Sequence, residues 1–135
     1  MQPVQRAEPT RPRPADPNRA TRVLRSVVAL QAVLVFAQAA LAGQFLSGNG
    51  AALAWHARNA ELIQLLSLVQ VVAAIVAWRR GGPAWAVPVS ALLLLAVGVQ
   101  VGVGYNRELA LHIPLGVAIL GSSVWLVAGL RPKRA

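Results

Sequence analysis

Four long apolar stretches organise the chain, at residues 26–46, 62–78, 84–103 and 113–130. Each runs for about 17–21 residues, the helical length that crosses a hydrocarbon core. A soluble bundle of this size would need polar stripes at helical spacing. Instead, residues 92–103 (LLLLAVGVQVGV) carry a single polar side chain, Gln100, in twelve positions. Open sheets cannot cross lipid, because unpaired backbone groups find no partner there. The pattern therefore predicts an all-α, integral membrane four-helix bundle over residues 22–130. Connections near 48–50, 79–83 and 104–106 carry Gly, Pro and Asn, the residues that turn a chain. The loops at 79–83 and 104–106 are short enough to make their helices antiparallel neighbours. Pro114 is expected in the first turn of the fourth helix, where its missing N–H is no loss. Pro88 is expected to kink the third helix modestly. Ala40-Leu41-Ala42 also has the pattern of a leader cleavage site, but cutting there would leave only three helices.

A second pattern overlies the first. Gln44, Gly48, Leu53, Ala54 and His56 recur 56 positions later as Gln100, Gly104, Leu109, Ala110 and His112. Ile63, Ser67 and Val71 then match Ile119, Ser123 and Val127. These eight identities in thirty positions compare with about three expected by chance in so biased a composition. Two transmembrane helices per repeat would insert in the same orientation. The predicted architecture is thus two parallel-related helix pairs with a pseudo-twofold axis along the membrane normal. His56 and His112, the only histidines, would lie at one membrane depth.

Charge fixes the expected orientation. The net charge is +9, and eleven of thirteen basic residues fall before the first helix, between the second and third, or after the fourth. Only Arg58 and Arg107 lie at the other side. Excess Lys and Arg mark the cytoplasmic face, so both termini should be cytoplasmic. The basic excess reads as topology, aided by anionic lipid. Nucleic acid is not an expected partner, since no recognition fold or interleaved aromatics accompany the charge. Residues 1–21 hold five of nine prolines and four arginines, a composition that cannot bury a core and predicts a disordered tail. Residues 131–135 form a second, shorter basic tail. Twelve arginines against one lysine point to a GC-rich bacterial genome, hence to the bacterial inner membrane.

The absence of cysteine excludes disulfides, thiolate metal sites and iron–sulfur clusters. Zinc would need three or four ligands, and only Glu61, Glu108 and Asn59 lie near the histidines in sequence. Proton-coupled transport is disfavoured because no ionisable group sits at mid-depth. Catalysis through a nucleophile or paired carboxylates lacks its residues. The remaining chemistry is that of the histidines. At 100° per residue, Ala60, Ile63 and Ser67 share a face with His56, and Gly116, Ile119 and Ser123 share one with His112. Each histidine is thus followed one turn deeper by a residue with little or no side chain. A flat macrocycle held between two imidazoles needs that gap, and close helix packing uses small residues equally well. Gly98 and Gly102 on the third helix fit the packing reading. Gln31, Gln38, Gln64, Gln70 and Gln100 are expected to join helices by hydrogen bonds worth about 0.6–2 kcal/mol each.

Paired histidines near the outer ends of the second and fourth helices, each followed by a small residue, resemble one four-helix half of a haem A synthase. The arrangement is similar in principle to other four-helix membrane bundles that hold b-type haem. The resemblance rests on His56 with Ala60 and His112 with Gly116, and implies axial ligation of one haem b iron by His56 and His112. Positions 51 and 52 are alanines where the family carries an outer-loop acidic residue, so electron transfer rather than oxygenase chemistry is implied. Arg58 and Arg107 would then neutralise the haem propionates, or else snorkel and pair with Glu61 and Glu108. The chain also resembles small four-helix membrane proteins of GC-rich bacteria, which imply no activity. Two readings stay open: a haem-b electron carrier with a redox partner, and a cofactor-free accessory protein that packs against a larger membrane complex.

Overall fold

The computed structural model describes residues 17–131. Four helices make up the fold: α1 (Pro17–Leu46), α2 (Ala51–Arg79), α3 (Ala86–Tyr105) and α4 (Leu109–Gly129). All four are long and apolar enough to cross a membrane, which suggests a multi-pass protein in contact with the bilayer. Most of the sequence assigned to the two terminal tails, residues 1–16 and 132–135, lies outside the described residues.

The helices are longer than the apolar stretches alone foretell. α1 opens at Pro17, five residues inside the stretch expected to be tail, at a position where a helix needs no N–H. α2 begins at Ala51, so most of the expected outer loop 47–61 is helical. Its AALAWHARNAE sequence is rich in strong helix formers. The extension places His56 in the second turn of a helix rather than in a loop. The prolines exchange roles. Pro88 is the third residue of α3, within the first turn, whereas Pro114 lies inside α4, which already starts at Leu109.

Packing follows a ring in which α1 meets α2, α2 meets α3, α3 meets α4, and α4 returns to α1. α2 and α4 lie across the diagonal, without close backbone approach. Short connections make sequential helices antiparallel, so α1 starts and α4 ends at one end of the bundle, called here the terminal end. The 46–51 and 105–109 connections lie at the other, the histidine end. Buried residues recur every three or four positions on each helix: Ala20, Leu24, Val28, Gln31 and Val35 on α1, and Ala86, Ser90, Leu93 and Val97 on α3. On α2 they include Ile63, Ser67, Gln70 and Ala74, and on α4 Ile119, Ser123, Leu126 and Leu130.

The distribution of polarity is the reverse of a water-soluble bundle. Gln31, Gln70, Ser67, Ser90 and Ser123 are fully buried, while Leu30, Val33, Phe36, Leu65, Leu92 and Val117 are exposed. A hydrocarbon surround accounts for both halves of this pattern, since exposed apolar area costs nothing there and polar groups must find partners inside. The amide N–H groups of the two glutamines do so between helices, while Gln31 Oε1 and Gln70 Oε1 stay without a partner. Gln31 Nε2 donates to Ser67 Oγ at 3.0 Å, and Gln70 Nε2 donates to Ser90 Oγ at 3.1 Å. Gly98 and Gly102 face outward, where an added Cβ would meet nothing within 4 Å, so they serve no packing within the chain. Trp125 pairs with Trp85 at the terminal end, ring centroids 5.4 Å apart.

Candidate functional site

The histidine end builds its site from one residue on every helix. His56 projects from α2 and His112 from α4, and although those helices are diagonal their rings face each other across the interior. The ring centroids are 6.1 Å apart and the planes are inclined by 52°. Both rings are half-buried.

Each ring is held by the preceding helix in a reciprocal bracket. His112 Nδ1 lies 3.0 Å from the Gln100 carbonyl oxygen, and Gln100 Nε2 donates back to the His112 carbonyl at 2.8 Å. His56 Nδ1 lies 3.1 Å from the Gln38 carbonyl oxygen, and Gln38 Nε2 donates to the His56 carbonyl at 3.0 Å. A backbone carbonyl only accepts, so each Nδ1 carries a proton, and in the neutral ring each Nε2 then keeps its lone pair. This is the tautomer that a metal-ligating histidine adopts when its other nitrogen is tied to a carbonyl.

The brackets identify Gln38, not Gln44, as the counterpart of Gln100. Gln44 is exposed and accepts a 3.3 Å hydrogen bond from Asn49 in the loop. Gln38 lies 18 positions before its histidine and Gln100 lies 12 before its own, so the first connection is longer by six. Sequence comparison at a single offset of 56 could not register α1 with α3. The bracketing role of Gln38 was therefore missed, although its polarity within an apolar span was the available signal.

Two further residues support the first bracket. Asn59 is buried and its Nδ2 donates to the Leu34 carbonyl at 2.9 Å and to Gln38 Oε1 at 2.6 Å. The second bracket relies on glycines. A Cβ at Gly104 would lie 2.8 Å from His112 Cε1, and a Cβ at Gly116 would lie 3.0 Å from Gln100 Nε2. The gap below His112 thus admits the Gln100 amide first. Gln100 Oε1 is buried with no hydrogen-bond partner.

Between the rings and below them lies a cavity of about 310 Å³. His56, His112, Ala60, Gly116, Gln38 and Gln100 all line it, amid aliphatic side chains. The small residues one turn below each histidine therefore do border an open space. Arg58 and Arg107 are exposed at the same end. The Arg58 guanidinium sits 5.4 Å from the centre of the Trp55 ring. Arg107 adopts φ 59° in the turn after α3, where Arg107 N–H bonds to the Gly104 carbonyl and Glu108 N–H to the Val103 carbonyl. That is the helix-ending position where glycine is usual. Among the described residues no cluster of three or more His, Asp or Glu side chains could hold a metal, so any metal here would take its protein ligands from the two histidines. The chain matches no protein-family model, no curated protein and no solved structure.

Proposed function

We propose that this protein binds one b-type haem between His56 and His112 and serves membrane electron transfer. The observation that carries the reading is the facing pair of rings, 6.1 Å apart, each with Nδ1 tied to a carbonyl and Nε2 bare. Two Fe–N bonds of about 2 Å, with the iron between the imidazoles, separate the ring centroids by about 6 Å. The cavity beside the rings is lined mostly by aliphatic side chains, and the residues one turn below the histidines are Ala60 and Gly116. A haem bound there supplies a one-electron couple. His56 and His112 would hold the iron between them, which would leave it no open position for substrate. The Gln38 and Gln100 carbonyls hold the imidazoles at fixed orientation and strengthen them as donors. Arg58 and Arg107 provide positive charge at the end where propionates would emerge.

The same reading includes the architecture. Burial supports a duplicated helix pair: on α1, Leu24, Val28, Gln31 and Val35 precede Ala86, Ser90, Leu93 and Val97 on α3 by 62 positions. On α2, Ile63, Ser67, Gln70 and Ala74 precede Ile119, Ser123, Leu126 and Leu130 on α4 by 56. A pseudo-twofold axis along the membrane normal would carry His56 onto His112. The excess of basic residues at the terminal end supports a cytoplasmic location for it in a bacterial inner membrane, which would put the histidine end toward the outer face.

The test is the reduced-minus-oxidised spectrum of the protein purified from haem-replete cells. The expected result is a low-spin b-type spectrum with about one haem per chain, absent from the His56→Ala/His112→Ala variant. A colourless protein would overturn the proposal. The brackets would then be read as stitches between helices in a cofactor-free accessory protein.

A further inference from the structure

The cavity is walled unevenly. The residues that α2 and α3 contribute to it, such as Ile63, Val97 and Val101, are buried or half-buried. The lining from α1 and α4 includes Ala39, Gly43, Leu46, Ile113 and Val117, all exposed. The packing explains the difference. No residue of α1 beyond Val35 is buried, and none of α4 before Ile119. Toward the histidine end the cavity is thus lined on its α1 and α4 sides by residues that are themselves exposed, so it is open on those sides. All five exposed lining residues are apolar. On α1 the rim is low, with Ala39 and Ala42 on one turn and Gly43 beside open space. An opening onto water would carry polar side chains; this one lies in the band that the apolar helices present to lipid.

We propose that the open side of the cavity along the outer halves of α1 and α4 is a lateral portal to the bilayer, through which the flat, hydrophobic macrocycle enters edge-on and in which one edge stays exposed to lipid. The proposal rests on the haem reading of the same site. Its chemistry is simple: haem partitions into hydrocarbon, and a side entrance spares it passage through water. The polar end of the macrocycle remains toward Arg58 and Arg107, while the apolar edge faces the rim.

The test uses full-length protein produced without haem, reconstituted in phosphatidylcholine vesicles and mixed with vesicles carrying haem. The rate and the final height of the low-spin Soret band are both read. Ala39→Trp with Val117→Trp puts an indole on each lip at exposed positions, which tolerate bulk. Val99→Trp, exposed on α3 and outside the cavity lining, is the control. The portal variant should load about tenfold or more slowly, with the control at the unmodified rate. Equal rates for the portal variant and the unmodified protein would overturn the portal and leave the haem site standing. A lower final height at unchanged rate would also overturn it, because bulk would then fill the site rather than its entrance. If the unmodified protein takes up no haem, the haem reading fails and the portal with it. Circular dichroism of each variant separates a blocked portal from a misfolded chain. Should the double variant misfold, Ala39→Trp alone carries the same comparison.

Discussion

The α1–α2 and α3–α4 halves reach the same histidine bracket by opposite means. In the first, a polar side chain is added: Asn59 bridges the Leu34 carbonyl and Gln38 Oε1, so every polar atom of the Gln38 amide is satisfied. In the second, side chains are removed. Leu115 stands where Asn59 would repeat, Gln100 Oε1 is left without a partner, and Gly104 and Gly116 let the ring and amide close against bare backbone. Both halves hold the histidine by the same pair of hydrogen bonds. The first braces its glutamine with a further hydrogen bond, and the second packs its ring and amide against glycine. One geometry can therefore be maintained by two kinds of interaction, and each kind fails in its own way.

The largest expected effect ignores that difference. His56→Ala and His112→Ala each remove one of the two proposed haem ligands, and no third histidine exists to replace it. Each single variant should lose the low-spin spectrum completely, as read by the Soret and α bands. If one variant keeps it, the two halves are not equivalent as ligand donors.

The brackets come next. Gln38→Leu and Gln100→Leu both keep the carbonyl that accepts from the histidine but lose the amide that ties the two helices. Loss of such an outer support lowers metal affinity about 10–100-fold, measured here by haem titration. Gln38→Leu should also lower the thermal midpoint more than Gln100→Leu. It strands one buried hydrogen-bond donor of Asn59, at about 1–3 kcal/mol, whereas Gln100→Leu removes a buried acceptor that had no partner. Equal losses of stability would show that Asn59 does not distinguish the halves.

What the sequence made legible follows the same division. Period and length declared the four helices, because an apolar run of this size has few alternatives in lipid. Flanking identities in α2 and α4 pointed to His56 and His112 as a pair, and their rings do lie close together. The bracket on α1 was not legible, because six extra residues between Gln38 and His56 break the register on which the repeat was read. The turn at Gly48-Asn49-Gly50 was legible, but the helix start directly after it was not. That start is set by the propensity of the alanine-rich segment from Ala51 rather than by an apolar run. Asn59 stood out only as a poor metal ligand; its role depends on meeting Gln38 from another helix, and pattern along one chain does not encode that meeting. Gly116 was recognised as making room, but the first group to use the room is the Gln100 amide.

Gly104→Ala should act on the second half alone. A methyl group 2.8 Å from His112 Cε1 forces the ring to turn or α4 to retreat. Ala42, 62 positions earlier, already carries a methyl group at the corresponding place on α1. The expected result is a changed angle between the axial imidazole planes, read from the low-temperature electron paramagnetic resonance of the oxidised protein, with haem affinity down by about three- to tenfold. An unchanged signal would mean that the His112 ring does not pack against Gly104.

Gly116→Ala should have the smallest effect, and its size decides what the gap is for. The new Cβ would meet Gln100 Nε2 at 3.0 Å and Cδ at 3.8 Å, a crowding that a terminal amide relieves by moving a few tenths of an ångström. The first half already shows this arrangement, since Ala60 lies below His56 with the Gln38 amide in place. The helix gains propensity, about 1 kcal/mol for glycine to alanine, which offsets the contact. Haem affinity should therefore change by less than about twofold and the thermal midpoint by no more than about 2 °C. A loss of haem affinity with the midpoint unchanged would mean that the bare Cα faces the macrocycle directly. A fall in the midpoint that is the same with and without haem would place the methyl group against the amide, making Gly116 the second half's substitute for Asn59.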